Sequence, residues 1–497
     1  MKKVLVIVIG MIMSFNLNYC QQLDATFGNS GKLVNDLSLA VDALISMKLQ
    51  PDGKIIAAGS ANDMLSLVRY EPDGTLDNAF GTDGKVITPI RCGFSWTGLG
   101  IELALQTDGK IVVLSKHFVS NTDQMIVTRY NSNGTLDTSF GTNGITNISS
   151  IVLDNSLFID SIRILASNKI MVTASNQQNK IYVLRFNSNG SLDTTFATNG
   201  LVTLPVPDGF SSFTARGFYI YPDSSMLVGA FMYTASNSNA NYVLTRFLSD
   251  GTLDTNFGTN GFSITNINSG SSEPRTINVQ ADEKIVFSGS CYLNFVMIRY
   301  NTDGTLDTTF NTTGIVKTNF GATSICSDAL IESDGKIILV GNIGDDFGCV
   351  RYNSNGTIDS AFGTNGAFRV DFGASYDYGR KIIEQPDGKY LTGGLTSYMC
   401  SDRAFALARF SLPNLDVADS ERATVTLYPN PTYDLLNINS KNPIQSVALY
   451  AINGQLVAYQ LVNDLTACID VAHLSPGIYL TKIQTDAGVS TYKISKE

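Results

Sequence analysis

One phrase returns seven times along this chain and limits the folds open to it more than any other feature. It reads Leu23-Asp24-Ala-Thr-Phe27, then Leu76-Asp77 to Phe80, Leu136-Asp137 to Phe140, Leu192-Asp193 to Phe196, Leu253-Asp254 to Phe257, Leu306-Asp307 to Phe310 and Ile358-Asp359 to Phe362. The spacings are 53, 60, 56, 61, 53 and 52 residues. A second phrase, Arg followed by an aromatic, also recurs seven times, at Arg69, Arg129, Arg185, Arg246, Arg299, Arg351 and Arg409. A third, Asp-Gly-Lys, is clear at Asp52, Asp108, Asp334 and Asp387 and degenerate in the modules between. A period this long exceeds a solenoid coil of about 20–30 residues and suits a four-stranded propeller blade.

Inside one module, Ala43–Leu49 alternates before the Asp-Gly turn, Lys54–Gly59 follows it, and Leu65–Tyr70 and Gly84–Thr88 complete four runs of strand length. Asp-Gly between two such runs predicts a hairpin with a type I′ turn, which needs positive φ at both central residues. The Asp of Leu-Asp-x-x-Phe is expected to cap a single helical turn that the next Gly ends. The last module stops after Arg409-Phe410, while the chain opens in mid-module at Leu23-Asp24 with the run Gly31–Val34. Pairing that run (residues 31–36) beside residues 404–410 closes a ring and removes two open sheet edges. The expected fold is therefore all-β: a seven-bladed propeller of four-stranded blades over residues 21–412, with a small C-terminal β-sandwich after it.

Composition narrows the partners. The chain has 497 residues with Asp and Glu outnumbering Lys and Arg by 44 to 34, a formal charge of −10, so it offers no electrostatic footprint for nucleic acid. Met1-Lys2-Lys3 followed by the apolar run Val4–Phe15 reads as a secretory signal over residues 1–20, too short to span a bilayer. Cleavage after Cys20 is expected. The alternative, lipidation at Cys20, places the bulky Tyr19 where a lipoprotein signal has a small residue. Cys92, Cys291, Cys326, Cys349, Cys400 and Cys468 form no CxxC and recur at no fixed module position, so they read as small buried side chains with at most one bridge.

The residues from Leu23 to Phe410 resemble the delta-60 repeat proteins, whose resemblance implies a propeller and assigns no chemistry. After a polar linker (residues 413–422), the phrases Tyr428-Pro429-Asn430-Pro431, Leu474-Ser475-Pro476-Gly477-Ile478-Tyr479 and Lys493-Ile494-Ser495-Lys496 follow in order. They resemble the type A C-terminal sorting domain of the type IX secretion system of Bacteroidetes, here residues 423–497. That resemblance implies passage over the inner membrane by the Sec route, handling by the type IX machinery, and release or surface attachment without a transmembrane span.

Candidates for chemistry are few. His117 and His473 fall in different domains, so no His triad or His-rich metal site can form; His473 is expected to pack. The repeated aspartates could suit calcium, yet each stands where a cap is needed. The repeated arginines beside aromatics point to stacking or blade-to-blade hydrogen bonding. Trp96 is the single tryptophan that could stack on sugar. No catalytic, metal or cofactor-binding residue and no cofactor is assigned. The expectation is a monomeric secreted or cell-surface binding or structural module for an extracellular glycan or protein. The alternative is a polysaccharide-acting hydrolase or lyase using acids in the propeller channel.

Overall fold

The protein is described from a computed structural model covering residues 22–412 and 425–497, apart from 39–40, 93–99, 120–121, 155, 177–179, 208, 235–236, 268–271, 400–401, 452–454 and 486–487. The expected signal segment, Trp96, Cys400 and the expected linker lie outside the described residues. The chain divides into two compact units, Met1–Leu412 and Pro413–Glu497.

The first unit holds seven antiparallel sheets, six of them meanders of four consecutive strands and the seventh completed by strands from the N-terminal end. Blade one is Asp42–Leu49, Ile55–Ala61, Met64–Tyr70 and Lys85–Arg91. The innermost strands of the other blades are Ile101–Leu105, Leu157–Ile164, Phe210–Ile220, Ser272–Val279, Ser324–Ile331 and Tyr376–Glu384. Each innermost strand touches the next, and the last touches the first, which closes the ring. In the seventh blade, Tyr376–Glu384, Tyr390–Met399 and Asp402–Ser411 come from the C-terminal side, while Lys32–Asn35 adds the outer strand, Lys32 opposite Ala408 and Asn35 opposite Phe405.

Apolar faces pack between blades. Ala43, Ile56 and Leu67 of blade one meet Leu103, Val113 and Ile126 of blade two in one buried cluster. Buried tyrosines satisfy their hydroxyls across the same boundary: Tyr130 with Thr88 at 2.6 Å, Tyr300 with Thr265 at 2.8 Å and Tyr352 with Thr318 at 2.7 Å. Tyr70 does so with Asn35 at 3.2 Å, across the closing strand.

Two local expectations change. The Asp-Gly hairpins are three-residue connections rather than type I′ turns: Gly53 N–H reaches the Gln50 carbonyl at 2.9 Å, Gln50 N–H reaches the Lys54 carbonyl at 2.8 Å, and of Asp52 and Gly53 only Gly53 has positive φ, +84°. Pro51 suits the second position of a type I turn, and one left-handed residue after it completes the connection. Asn168, Ser224 and Glu283 fill that left-handed place in the degenerate modules. The Leu-Asp-x-x-Phe segment is likewise a turn, with Asp77 Oδ1 accepting Ala79 N–H at 3.0 Å and Phe80 N–H bonding back to the Asp77 carbonyl at 2.9 Å. A 3-10 helix forms only at Phe310–Thr312 among the described copies.

In the second unit, Thr426–Tyr428, Leu435–Ala451, Leu456–Asp470, Gly477–Thr485 and Gly488–Lys496 make one antiparallel sheet. The long strand Leu435–Ala451 breaks register between Asn439 and Ile444, and residues on both sides of the break, Leu436, Ile438, Val447 and Leu449, share one core with Ile483 and Ile494. Among the described residues, no helix is long and apolar enough to cross a membrane.

Deleting residues 22–35 removes Phe27 and Leu33 from a buried cluster and bares the edge of Asp402–Ser411. The shortened protein is expected to lose roughly 5 kcal/mol or more of stability and to self-associate through that edge. Denaturant unfolding and light scattering check both outcomes.

Candidate functional site

The three repeated phrases meet in space. In blade five, Asp307 Oδ2 lies 2.8 Å from Arg299 Nε and 2.9 Å from Lys284 Nζ. The Arg299 guanidinium sits 4.3 Å from the Phe310 ring centroid and donates through Nη1 to the Ser354 carbonyl of the next blade at 2.6 Å. Phe310 and Gly356 make the matching contact, since a Cβ on Gly356 would come 2.9 Å from that ring. The clamp repeats as Arg69–Asp77, Arg129–Asp137, Arg185–Asp193 and Arg246–Asp254. Each of these arginines also reaches a carbonyl in the following blade. These aspartates are therefore ion-pair partners and not open calcium ligands.

The seventh clamp joins the two ends of the propeller chain. Arg409 Nε and Lys389 Nζ come from the C-terminal side and lie 2.7 and 2.9 Å from Asp24 Oδ2, and Arg409 stacks 4.9 Å from Phe27. Arg351 departs from the pattern: its Nε donates to Glu332 at 2.7 Å, and Asp359 is 3.6 Å away.

The repeat is taken up by structure, and the channel is lined by residues that differ from blade to blade. Six innermost strands break register at one place, so that Ile45, Asp160, Arg216 with Gly217, Arg275, Ser327 and Arg380 stand at bulges. A bulge turns a side chain away from the ladder, here around a cavity of about 290 Å³ on the channel axis. Lys48, Arg163, Arg275, Arg380 and Lys381 line it with five positive charges against Glu102, Asp160 and Asp328. A chain of net charge −10 thus surrounds its axis with an excess of cations.

Two of these acids are held by neighbouring donors. Glu102 accepts from Lys381 Nζ at 2.9 Å and Ser46 Oγ at 3.1 Å; burial alone would raise its pKa, but Lys381 and Arg163 hold it below the usual value. Burial raises Asp160, whose oxygens take the Thr173 hydroxyl at 2.6 Å and the Gly217 N–H at 2.9 Å. Lys48 faces water within the channel yet has protein on every side, and burial, with Arg163 and Lys381 nearby, pushes its pKa down to about 8.

Other candidates separate. His117 is half-buried in Ile111–Val119, and His473 is exposed in a turn instead of packed. Cys92, Cys291, Cys326 and Cys349 are buried and unbridged, Cys468 is exposed and unbridged, so no bridge forms among the described cysteines. Asp346, Asp371 and Asp377 bring carboxylate oxygens within 4.8 Å of one another, with buried Asp377 held by Thr396 at 2.6 Å and the Phe372 N–H at 2.8 Å. The channel residues carried no repeated motif; aligning the modules on their hairpin turns brings Asp160, Arg216, Arg275 and Arg380 to one position.

These features define a closed, seven-bladed repeat β-propeller with a separate β-sheet tail. The repeats match a β-propeller domain of unknown function (DUF5122) at residues 50–80, 106–140, 166–196, 222–257, 280–310 and 332–362. The seventh copy is divided between the chain ends. Residues 426–497 match the secretion system C-terminal sorting domain, so the protein is a propeller exported by the type IX system to the cell surface or beyond. No curated protein matches the chain. Among solved structures, PorZ, a surface component of the type IX secretion system of Porphyromonas gingivalis, is 10% identical over 91% of this chain and 59% of its own, with a TM-score of 0.38. This chain thus spans less than two thirds of that protein. A Lactobacillus plantarum protein is 14% identical over 66% and 88%, TM-score 0.42. Virginiamycin B lyase of Staphylococcus aureus is 11% identical over 82% and 96%, TM-score 0.32.

The clamps predict the response to acid. For Asp77, Asp137, Asp193, Asp307 and Asp24, burial raises the carboxyl, but hydrogen bonds and cation partners outweigh it and leave each below its ordinary value. A depressed folded pKa means stability is complete above the unfolded value near 4 and is lost as pH falls below it. Melting temperature is expected to hold from pH 7 to about 4.5 and then fall steeply. Asp193→Asn and Asp307→Asn are each expected to cost roughly 2–3 kcal/mol at pH 7 and to flatten that fall, which denaturant titrations across pH measure.

Proposed function

We propose that the exported propeller is a binding module without catalysis, acting as a monomer on an extracellular glycan or protein that it engages at the channel or the adjoining loop face. The observation that carries this reading is the contrast within the ring: clamp residues repeat in nearly every blade, whereas the channel position holds Ile45, Asp160, Arg216, Arg275, Ser327 and Arg380 in turn. Repetition builds the ring, and variation at an accessible cavity supplies recognition. Of the acids lining the cavity, Glu102 and Asp160 are held by neighbouring donors, which favours binding over acid–base chemistry at those two. The test is a combined glycan and protein array probed with the full chain. A specific hit without turnover supports the binding reading; depolymerisation of a polysaccharide would replace it with the enzyme.

The tail's role is separable. A chain ending at Leu412 is expected to fold with unchanged propeller stability and to remain in the periplasm, because each unit has its own core. Residues 426–497 fused behind a signal peptide and a fluorescent domain are expected to carry that cargo outside a type IX-competent cell. Fractionation and surface proteolysis check both, and a surface-located truncation would contradict the assignment.

A further inference from the structure

The most unusual chemistry in the channel is the placement of Arg275, from blade five, near both Arg216 of blade four and Arg380 of blade seven. All three stand at bulges, and each is about nine-tenths buried. Aromatic faces hold two of the guanidinium groups: Arg216 lies 5.5 Å from the Phe231 centroid and Arg380 5.7 Å from that of Tyr378. Arg275 pairs with Glu273 at 2.5 Å. Arg216 donates from Nη1 to the Ala215 carbonyl at 2.9 Å, and its buried Nε–H has no acceptor. A buried guanidinium with an unmet donor is costly, and Asp160, the nearby acid, has its oxygens taken by Thr173 and Gly217. Burial followed by repulsion from Arg275 pushes the pKa of both Arg216 and Arg380 down to about 10.

The geometry points to an oxyanion site at Arg275 and Arg380 in the cavity wall, for a carboxylate or sulfate carried on a small polar molecule such as a uronic acid or a sulfated sugar. Planar guanidinium forks match the paired oxygens of such groups. An incoming anion between them relieves the repulsion that Arg275 exerts on Arg216 and on Arg380. Thr276, Asn278 and Ser327 line the same cavity and can meet hydroxyl groups beside the anion. At about 290 Å³ the cavity sits at the small end of ligand pockets and admits one compact unit rather than a folded chain. This inference rests on the binding reading above and names its chemistry.

The experiment is isothermal titration of the full chain, at low ionic strength, with sodium glucuronate, sodium sulfate and glucose. Glucuronate or sulfate is expected to bind and glucose not. Competition by sulfate against glucuronate identifies the oxyanion alone as the determinant, and tighter binding of glucuronate adds the sugar ring to it. Arg275→Gln and Arg380→Gln are expected to weaken binding at least tenfold, Arg380→Lys to weaken it less, and Lys482→Gln on the exposed tail to leave it unchanged. Circular dichroism and melting curves confirm that the variants compared are folded, and if one glutamine variant does not fold, the other carries the test. Absence of oxyanion binding, or equal binding by the folded arginine variants, would overturn the site. An array hit retained by a chain that binds no oxyanion defeats this inference alone; oxyanion binding with an empty array leaves it standing without the macromolecular ligand.

Discussion

Everything in this propeller depends on a carboxylate shared between an arginine and, in most blades, a lysine. In its full form the Asp of Leu-Asp-x-x-Phe receives Arg Nε from the third strand and Lys Nζ from the hairpin turn, while the same arginine stacks on the Phe and reaches a carbonyl of the next blade. Bringing these charges together costs desolvation, which only close geometry and satisfied donors offset. That is why the phrases recur together. Blade four shows which part is dispensable: Ser225 stands where the lysine would be, yet Arg246 and Asp254 still pair at 2.7 Å.

Closure uses the same device. A ring of sheets needs its last blade completed by the first residues, or two edges stay open. Here Lys32–Asn35 supplies the outer strand, and Asp24 and Phe27 supply the half-clamp that Lys389 and Arg409 lack. The contact between chain ends is thus chemically the same as the clamp of blades one, two, three and five, and Tyr70 bonding Asn35 resembles the hydroxyl contacts of Tyr130, Tyr300 and Tyr352. One interaction therefore sets both the blade and the ring.

Much of this was legible in the sequence because it repeats. The recurrent phrases marked blades, the split module marked the closing strand, and Arg beside an aromatic marked stacking. Legibility failed where a residue's role depends on partners distant in the chain. Asp77 looked like a cap and is one through Oδ1, but its other oxygen serves Arg69 and Lys54. Asp52-Gly53 looked like a type I′ pair, but the connection is one residue longer, as it also is at Asp108-Gly109, and leaves the glycine alone with positive φ. The channel was invisible for a further reason. Arg216, Arg275 and Arg380 share no motif, and it is the bulges in their strands, which no local pattern announces, that set them at the same place in three blades.

The division between a uniform scaffold and a variable axis requires that the clamp act as a coupled unit. A double-mutant cycle on Arg299 and Asp307, using Arg299→Met and Asp307→Asn, measures this directly by denaturant unfolding at pH 7. The side chains are 8% and 4% exposed, so the account predicts a coupling of roughly 2 kcal/mol or more, above the ~1 kcal/mol or less of an exposed pair. Additive losses, with coupling near zero, would contradict it and return the repeated aspartates to some purpose other than holding the ring.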